Sequence, residues 1–339
     1  MAAASQVLTA RVTPWHTPAC MALPVIDVEA LLGDREVSAL RHACQTHGFF
    51  FITNHGVDRA LETRLEELTH QLFALPTEAL ERISMPRGGL AWRGWFPLGG
   101  ELTSGVPDVK EGVYFGDELG DDDPRVRARL PMHGRNLFPQ ELPGLRAVVL
   151  DWISAQRRLA ARVMQGLAAS LGLPRTHFET SLTRDPLSLF RIFHYPPPRD
   201  AERERWGVGE HTDYGLLTLL KQDDCGGLEV KTPQGWVEAT PIPGTFVCNL
   251  GDMLDRMTGG RYRSTPHRVR NASGRPRHSW PYFFDPSFDA RVQPLPGVSV
   301  RPAEQDAAER WDRASVHTLE GTYGEYLRAK VSRVFPNLT

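Results

Sequence analysis

His211-Thr212-Asp213, with His267 following 54 residues after the aspartate, constrains this chain more than any other feature. On an extended strand side chains alternate faces, so His211 and Asp213 project to one side while Thr212 points away. Two metal-ligand types are thereby placed together by local structure alone. His267 completes one triangular face of an octahedron if the fold lays a second strand alongside, leaving three positions open for small molecules. Two histidines and one carboxylate in that arrangement suit non-heme Fe(II) and oxygen chemistry. Zinc hydrolases use the same ligand types, but their signature of two histidines on one helix, H-E-x-x-H, does not occur here.

The patterning around the triad agrees with a β framework. Apolar spacing predicts helices over Val28 to Thr46 and Ala60 to Ser84, with a strand at Phe49 to Thr53 between them. A third helix, Leu142 to Leu171, carries Leu145, Val148, Val149, Ile153, Leu159, Val163 and Leu167 along one broad face, with Pro143 near its start and Gly172 after its end. From Leu187 onward the texture changes to short strands broken by Pro and Gly, which implies sandwich or barrel packing.

Composition narrows the function classes. With 339 residues and 41% apolar side chains the chain buries a substantial core. A net charge of −2 offers no general attraction to nucleic acid or to an anionic membrane, so a small-molecule substrate is expected. No stretch approaches the ~18 apolar residues of a membrane span. Residues 1–20 lack the basic start and apolar core of a secretory signal and read as a flexible extension. Four cysteines, Cys20, Cys44, Cys225 and Cys248, show no C-x-x-C spacing. Free thiols in a reducing, cytoplasmic setting are the expectation. Oligomeric state is left open.

A second constellation lies ten residues past His267. Along a strand, Arg277, Ser279, Pro281 and Phe283 share one face, and His278, Trp280 and Tyr282 the other. A guanidinium offers a planar fork of donors for a carboxylate and the nearby hydroxyl adds another, which suits a dicarboxylate held by its far end. His278, facing away, is read as structural.

The ordered run Phe190-Arg191-Ile192-Phe193-His194-Tyr195-Pro196-Pro197, His211-Thr212-Asp213-Tyr214-Gly215, Asn249-Leu250-Gly251-Asp252, Ser264-Thr265-Pro266-His267 and Arg277-His278-Ser279 resembles the 2-oxoglutarate- and Fe(II)-dependent dioxygenase superfamily, in its isopenicillin N synthase-like branch. Leu23-Pro24-Val25-Ile26-Asp27 and the segment Cys44 to Val57 look like that family's N-terminal region. The likeness is weakest between Pro86 and Pro139. It implies a fold that is mainly β with helices (α+β), a double-stranded β-helix or jelly roll backed by the long helix. The implied organisation is a 21–140 N-terminal region followed by a 141–339 catalytic domain ending in a helix. It further implies Fe(II) on His211, Asp213 and His267, with dioxygen as co-reactant. 2-Oxoglutarate would be held through Arg277, Ser279 and Tyr195, and a small organic molecule hydroxylated, desaturated or cyclised with release of succinate and carbon dioxide. Where relatives often carry Asn two residues before the tyrosine, this chain has Phe193, so an apolar wall replaces a polar contact. Phe193, Phe283, Arg93, Trp95 and Tyr114 are the candidate substrate-pocket residues. Two other readings stay open: a 2-oxoglutarate-independent iron oxidase like isopenicillin N synthase or aminocyclopropane-carboxylate oxidase, and a non-enzymatic jelly-roll binding protein.

Overall fold

The computed structural model describes residues 23–198 and 205–335; the extension expected over residues 1–20 lies outside them. Twelve strands form among the described residues: β1 (Val25–Asp27), β2 (Phe49–Thr53), β3 (Gly94–Phe96), β4 (Glu111–Gly116), β5 (Leu187–Tyr195), β6 (Val208–His211), β7 (Leu217–Gln222), β8 (Leu228–Thr232), β9 (Gly235–Glu238), β10 (Phe246–Leu250), β11 (His267–Val269) and β12 (Arg277–Asp285). They make two sheets. The larger runs β1-β2-β10-β7-β12-β5-β4-β3 and the smaller β6-β11-β8-β9. Every neighbouring pair is antiparallel except β1 with β2. A cavity lined by both sheets lies between them, which is the jelly-roll arrangement. Four of the eight large-sheet strands, β1 to β4, come from the first 140 residues.

The outer face of the large sheet is covered by the helix Gly144–Ser170, which buries Leu145, Val149, Trp152, Ile153, Leu159, Val163 and Leu167. Its Trp152 ring packs against Phe190 of β5 and Phe246 of β10, with centroids 6.3 and 5.9 Å away. Each such fully buried large apolar side chain contributes roughly 1.5–3 kcal/mol, so this seam fixes the sheet on its scaffold. Gly172, at φ 78, turns the chain away after the last turn.

Two expected helices are interrupted. Val28 to Thr46 is two helices, Val28–Leu32 and Val37–Thr46, separated by a turn in which Asp34 takes φ 66. Ala60 to Ser84 divides into Arg59–Phe73 and Thr77–Glu81. Pro76 explains the second break, because it disfavours helical geometry at Leu75 and has no N–H to donate. The strand expected at Phe49 to Thr53 forms over those residues.

The chain closes with the helix Tyr323–Val334, started by a reciprocal capping pair between Thr322 and Glu325. Leu327, Val331 and Val334, spaced at i, i+4 and i+7, turn one face of it to the cavity. No described helix is long and apolar enough to cross a membrane.

Candidate active site

His211 ends β6, and its Cα partner across the antiparallel ladder is His267, the first residue of β11. The second strand required by the sequence is therefore the neighbour of the first, and the two imidazole centroids are 4.1 Å apart. Asp213 lies just beyond the strand. Backbone bonds hold the connecting loop instead: Asp252 N–H donates to Asp213 O at 2.7 Å, Met253 N–H to Gly215 O at 2.9 Å, and Gly251 N–H to Leu216 O at 3.0 Å. A Cβ on Gly251 would sit 2.3 Å from Gly215 O, so only glycine lets these two turns approach.

The donor atoms converge. Asp213 Oδ1 is 3.8 Å from Nε2 of both His211 and His267. The other side of each ligand is occupied: His211 Nδ1 lies 2.8 Å from Gly209 O, and His267 Nδ1 3.1 Å from Thr265 O. A ring nitrogen facing a carbonyl carries the proton, which leaves the Nε2 lone pairs toward Asp213. Asp213 Oδ2 accepts from Thr218 Oγ1 at 2.5 Å and Asn249 Nδ2 at 2.7 Å, so Oδ1 is the free carboxylate atom. Burial lowers the pKa of His211, against the pull of Asp213. Burial and the neighbouring His211 lower that of His267. Two neutral imidazoles and a half-satisfied carboxylate make a donor set that fits a divalent iron.

Arg277, Ser279 and Tyr195 line one end of the same cavity. Arg277 pairs with Tyr195 in the β12–β5 ladder, and its guanidinium carbon stands 4.7 Å from the Tyr195 ring centroid. Arg277 Nε donates to Gly226 O at 2.7 Å, whereas Nη1 and Nη2 are buried without a hydrogen-bond partner. Tyr195 OH is 3.4 Å from Ser279 Oγ. A buried guanidinium edge with no partner is costly, and a carboxylate placed there, with two hydroxyls beside it, relieves that cost.

The candidate pocket residues divide. Tyr114, Phe193 and Phe283 line the cavity. Arg93 and Trp95 do not: Arg93 Nη2 donates to Met132 O at 2.8 Å while its guanidinium packs against Gly116, and Trp95 Nε1 donates to Glu111 Oε2 at 3.0 Å. Trp92 takes the place on the wall, because the chain turns through φ 50 at Trp92 and φ 115 at Gly94. Sequence reasoning missed Glu101, Lys110, Arg191, Met132 and Asp285, all on the wall. Alternation back from Tyr195 through Phe193 was the available signal for Arg191. Lys110 is buried between Asp108 at 2.5 Å and Glu101 at 2.8 Å, with its ammonium 5.0 Å from the Phe193 ring centroid. Asp252, the last residue of Asn249-Leu250-Gly251-Asp252, is an ion-pair partner of Arg310 at 2.8 Å and accepts from Ser264 and Tyr326.

Comparison with known proteins agrees with this geometry. Residues 23–141 match the family described as "non-haem dioxygenase in morphine synthesis N-terminal", and residues 186–286 match the 2OG-Fe(II) oxygenase superfamily. A probable iron/ascorbate oxidoreductase of Dictyostelium discoideum is 44% identical, over 93% of this chain and 95% of its own. A 1-aminocyclopropane-1-carboxylate oxidase of Dictyostelium mucoroides is 35% identical, again over 93% and 95%. Among solved structures, a full-length Neurospora crassa protein in complex with alpha-KG and 5-formyluracil superposes with a TM-score of 0.74 at 27% identity, covering 93% of this chain and 97% of that one.

Proposed function

Because the chain belongs to the 2-oxoglutarate- and Fe(II)-dependent oxygenase superfamily, we propose that His211, Asp213 and His267 hold the iron and that Arg277, Ser279 and Tyr195 hold the distal carboxylate of 2-oxoglutarate. The enzyme uses Fe(II), 2-oxoglutarate and dioxygen to oxidise a small organic molecule by hydroxylation, desaturation or cyclisation, releasing succinate and carbon dioxide. Metal and cosubstrate supply the oxidising power. The residues of this chain supply position. Thr218 and Asn249 keep Asp213 Oδ2 engaged, so the carboxylate offers one oxygen to the metal. The carbonyls of Gly209 and Thr265 fix the tautomer of both histidines. Arg277 directs the keto end of the cosubstrate toward the triad by gripping its far acid. Phe193, Tyr114 and Phe283, with Leu327 and Phe335 from the C-terminal segment, wall the remaining space and exclude water. In this reading residues 141–339 carry the iron and cosubstrate groups and residues 21–140 add part of the substrate wall. The described cysteines Cys44, Cys225 and Cys248 are free thiols, which supports a reducing, cytoplasmic setting.

The observation that carries the cosubstrate assignment is the unpaired Nη1 and Nη2 of buried Arg277 in the cavity of the triad. Titrating 2-oxoglutarate into the anaerobic Fe(II) protein is expected to produce the visible charge-transfer band of an iron–keto acid chelate, and admission of air to yield succinate. Likeness to a 1-aminocyclopropane-1-carboxylate oxidase favours one competing reading, an oxidase that does without 2-oxoglutarate. Substrate turnover with neither band nor succinate would decide for it.

A further inference from the structure

Beyond the triad the cavity has a second end, and it is built around Arg191. This residue is on the inner face of β5, four positions before Tyr195, so it lies about 13 Å along the strand from the row shared by Tyr195 and Arg277. Its guanidinium carbon is stacked 3.4 Å from the Tyr114 ring centroid and is 5.6 Å from that of Phe283, while Nη1 makes a long 3.4 Å bond to Phe190 O. Arg191 is 8% exposed and lines the cavity.

The acids at this end are engaged elsewhere. Glu101 accepts from Tyr114 OH and is ion-paired to Lys110, Asp108 is held by Lys110 and Thr103, and Asp285 accepts from Tyr323 OH. Burial raises the Asp285 pKa, and the Arg191 charge draws it back down, so this acid feels Arg191 without forming an ion pair with it. Behind Arg191 stands Arg93, 1% exposed, with Nε and Nη1 unpaired, and the two like charges act on one another. Among the described residues no carboxylate forms an ion pair with either arginine, although Asp285 acts on Arg191, and Asp117 and Glu118 on Arg93, from further away. A charged fork that is buried, stacked on an aromatic face and without a direct ion-pair partner can receive a carboxylate from a ligand.

We propose that the substrate is a small carboxylate whose acid group is received by Arg191, with its carbon skeleton laid against Phe283, Leu189, Leu327 and Phe335 so that a carbon is presented to the triad. This rests on the assignment of the triad and the Arg277 end to iron and 2-oxoglutarate. Anchoring the acid at one end fixes which carbon lies near the metal, the step that orientation must supply. Arg277 and Arg191 then divide the work, one holding the acid of the cosubstrate and the other that of the substrate.

The test uses the full-length Fe(II) protein at saturating 2-oxoglutarate and a panel of alkyl, aryl and amino carboxylic acids, each paired with its primary amide. The visible band of the anaerobic wild-type protein comes first; its failure to form would remove the underlying assignment rather than the role of Arg191. With the band present, acids are expected to shift it and stimulate succinate release where their amides do not. Arg191→Gln should weaken the apparent affinity for the best acid roughly 30-fold or more, and Arg191→Lys should recover part of that. Thermal melting of both variants reports whether the fold is kept. Amides that match their acids, a panel in which no acid acts, or an Arg191→Gln protein that keeps its acid preference would each overturn the proposal and leave Arg191 a prop for the Tyr114 ring. Should Arg191→Gln unfold, the wild-type contrast between acid and amide decides alone.

Discussion

The two faces of β5 and β12 are made by alternate residues of the same strands, yet they differ in how their polar groups end. On the outer face Tyr282 OH meets Ser188 Oγ at 2.8 Å, Trp280 Nε1 donates to Thr69 Oγ1 at 2.9 Å, and the His278 ring stacks on His194 with centroids 5.1 Å apart. On the inner face Arg277 Nη1 and Nη2 have no protein partner, and Arg191 forms no ion pair among the described residues. Both faces carry aromatics and both carry polar atoms, so composition does not tell them apart. Satisfaction does. Folding pairs these outer-face groups by itself, while on the inner face it leaves both Nη atoms of Arg277 without a partner.

That contrast is broken most sharply at the triad. Asp213→Ala is expected to abolish iron binding and turnover, measured by metal content after dialysis and by succinate release, while the melting temperature changes little. Full activity in a metal-depleted Asp213→Ala protein would overturn the iron site. His211→Ala and His267→Ala should behave alike.

Arg277→Ala and Trp280→Ala, on opposite faces of one strand, should give opposite phenotypes. The arginine change is expected to weaken 2-oxoglutarate binding by roughly 2–5 kcal/mol, with partial rescue in Arg277→Lys because an ammonium lacks the planar fork. Its stability cost is small, since within the protein the guanidinium makes its hydrogen bond from Nε to Gly226 O and leaves both Nη atoms unpaired. The tryptophan change should cost roughly 3–5 kcal/mol of stability through the cavity it leaves and the lost bond to Thr69 Oγ1, and leave 2-oxoglutarate affinity in the surviving folded protein near wild type. Denaturant melts set beside anaerobic titrations separate the two. Equal losses in both measurements for both variants would dissolve the distinction between the faces.

Much of this arrangement was legible in the sequence because it is local. Period-two alternation assigns Tyr195, Phe193 and Arg191 to one face of β5, and Arg277, Ser279 and Phe283 to one face of β12. The onset of strands at Leu187 and the long helix before it follow from patterning, whereas the break at Pro76 was not expected, although a proline inside a helical pattern is the signal for one. What stayed hidden is set by closure between distant segments. Asn249 reaches Asp213 across 36 residues and Lys110 reaches the wall beside Phe193 from another part of the chain, with no shared period to announce either. Trp92 rather than Trp95 faces the cavity because of left-handed backbone at Trp92 and positive φ at Gly94, and side-chain pattern carries no trace of such a kink.

The smallest expected effect concerns acid sensitivity of the outer face. Burial, with His194, His70 and Arg277 nearby, lowers the His278 pKa from its ordinary 6.5 to about 3. Its folded pKa is below its unfolded value, so the unfolded chain binds the proton first. Stability tied to the neutral ring is therefore fully present above about 6.5 and is lost as pH falls toward 3, at up to roughly 1.4 kcal/mol per pH unit for one proton. His278→Gln removes that proton uptake. Denaturant midpoints of the metal-free wild-type and variant proteins between pH 7.5 and pH 5 should converge as the solution is acidified, with the variant losing less. Parallel pH profiles would instead assign the acid sensitivity to other groups. Throughout, 2-oxoglutarate affinity at pH 7.5 should stay near wild type, since His278 faces the helix Arg59–Phe73 rather than the cavity, its ring 4.6 Å from that of His70.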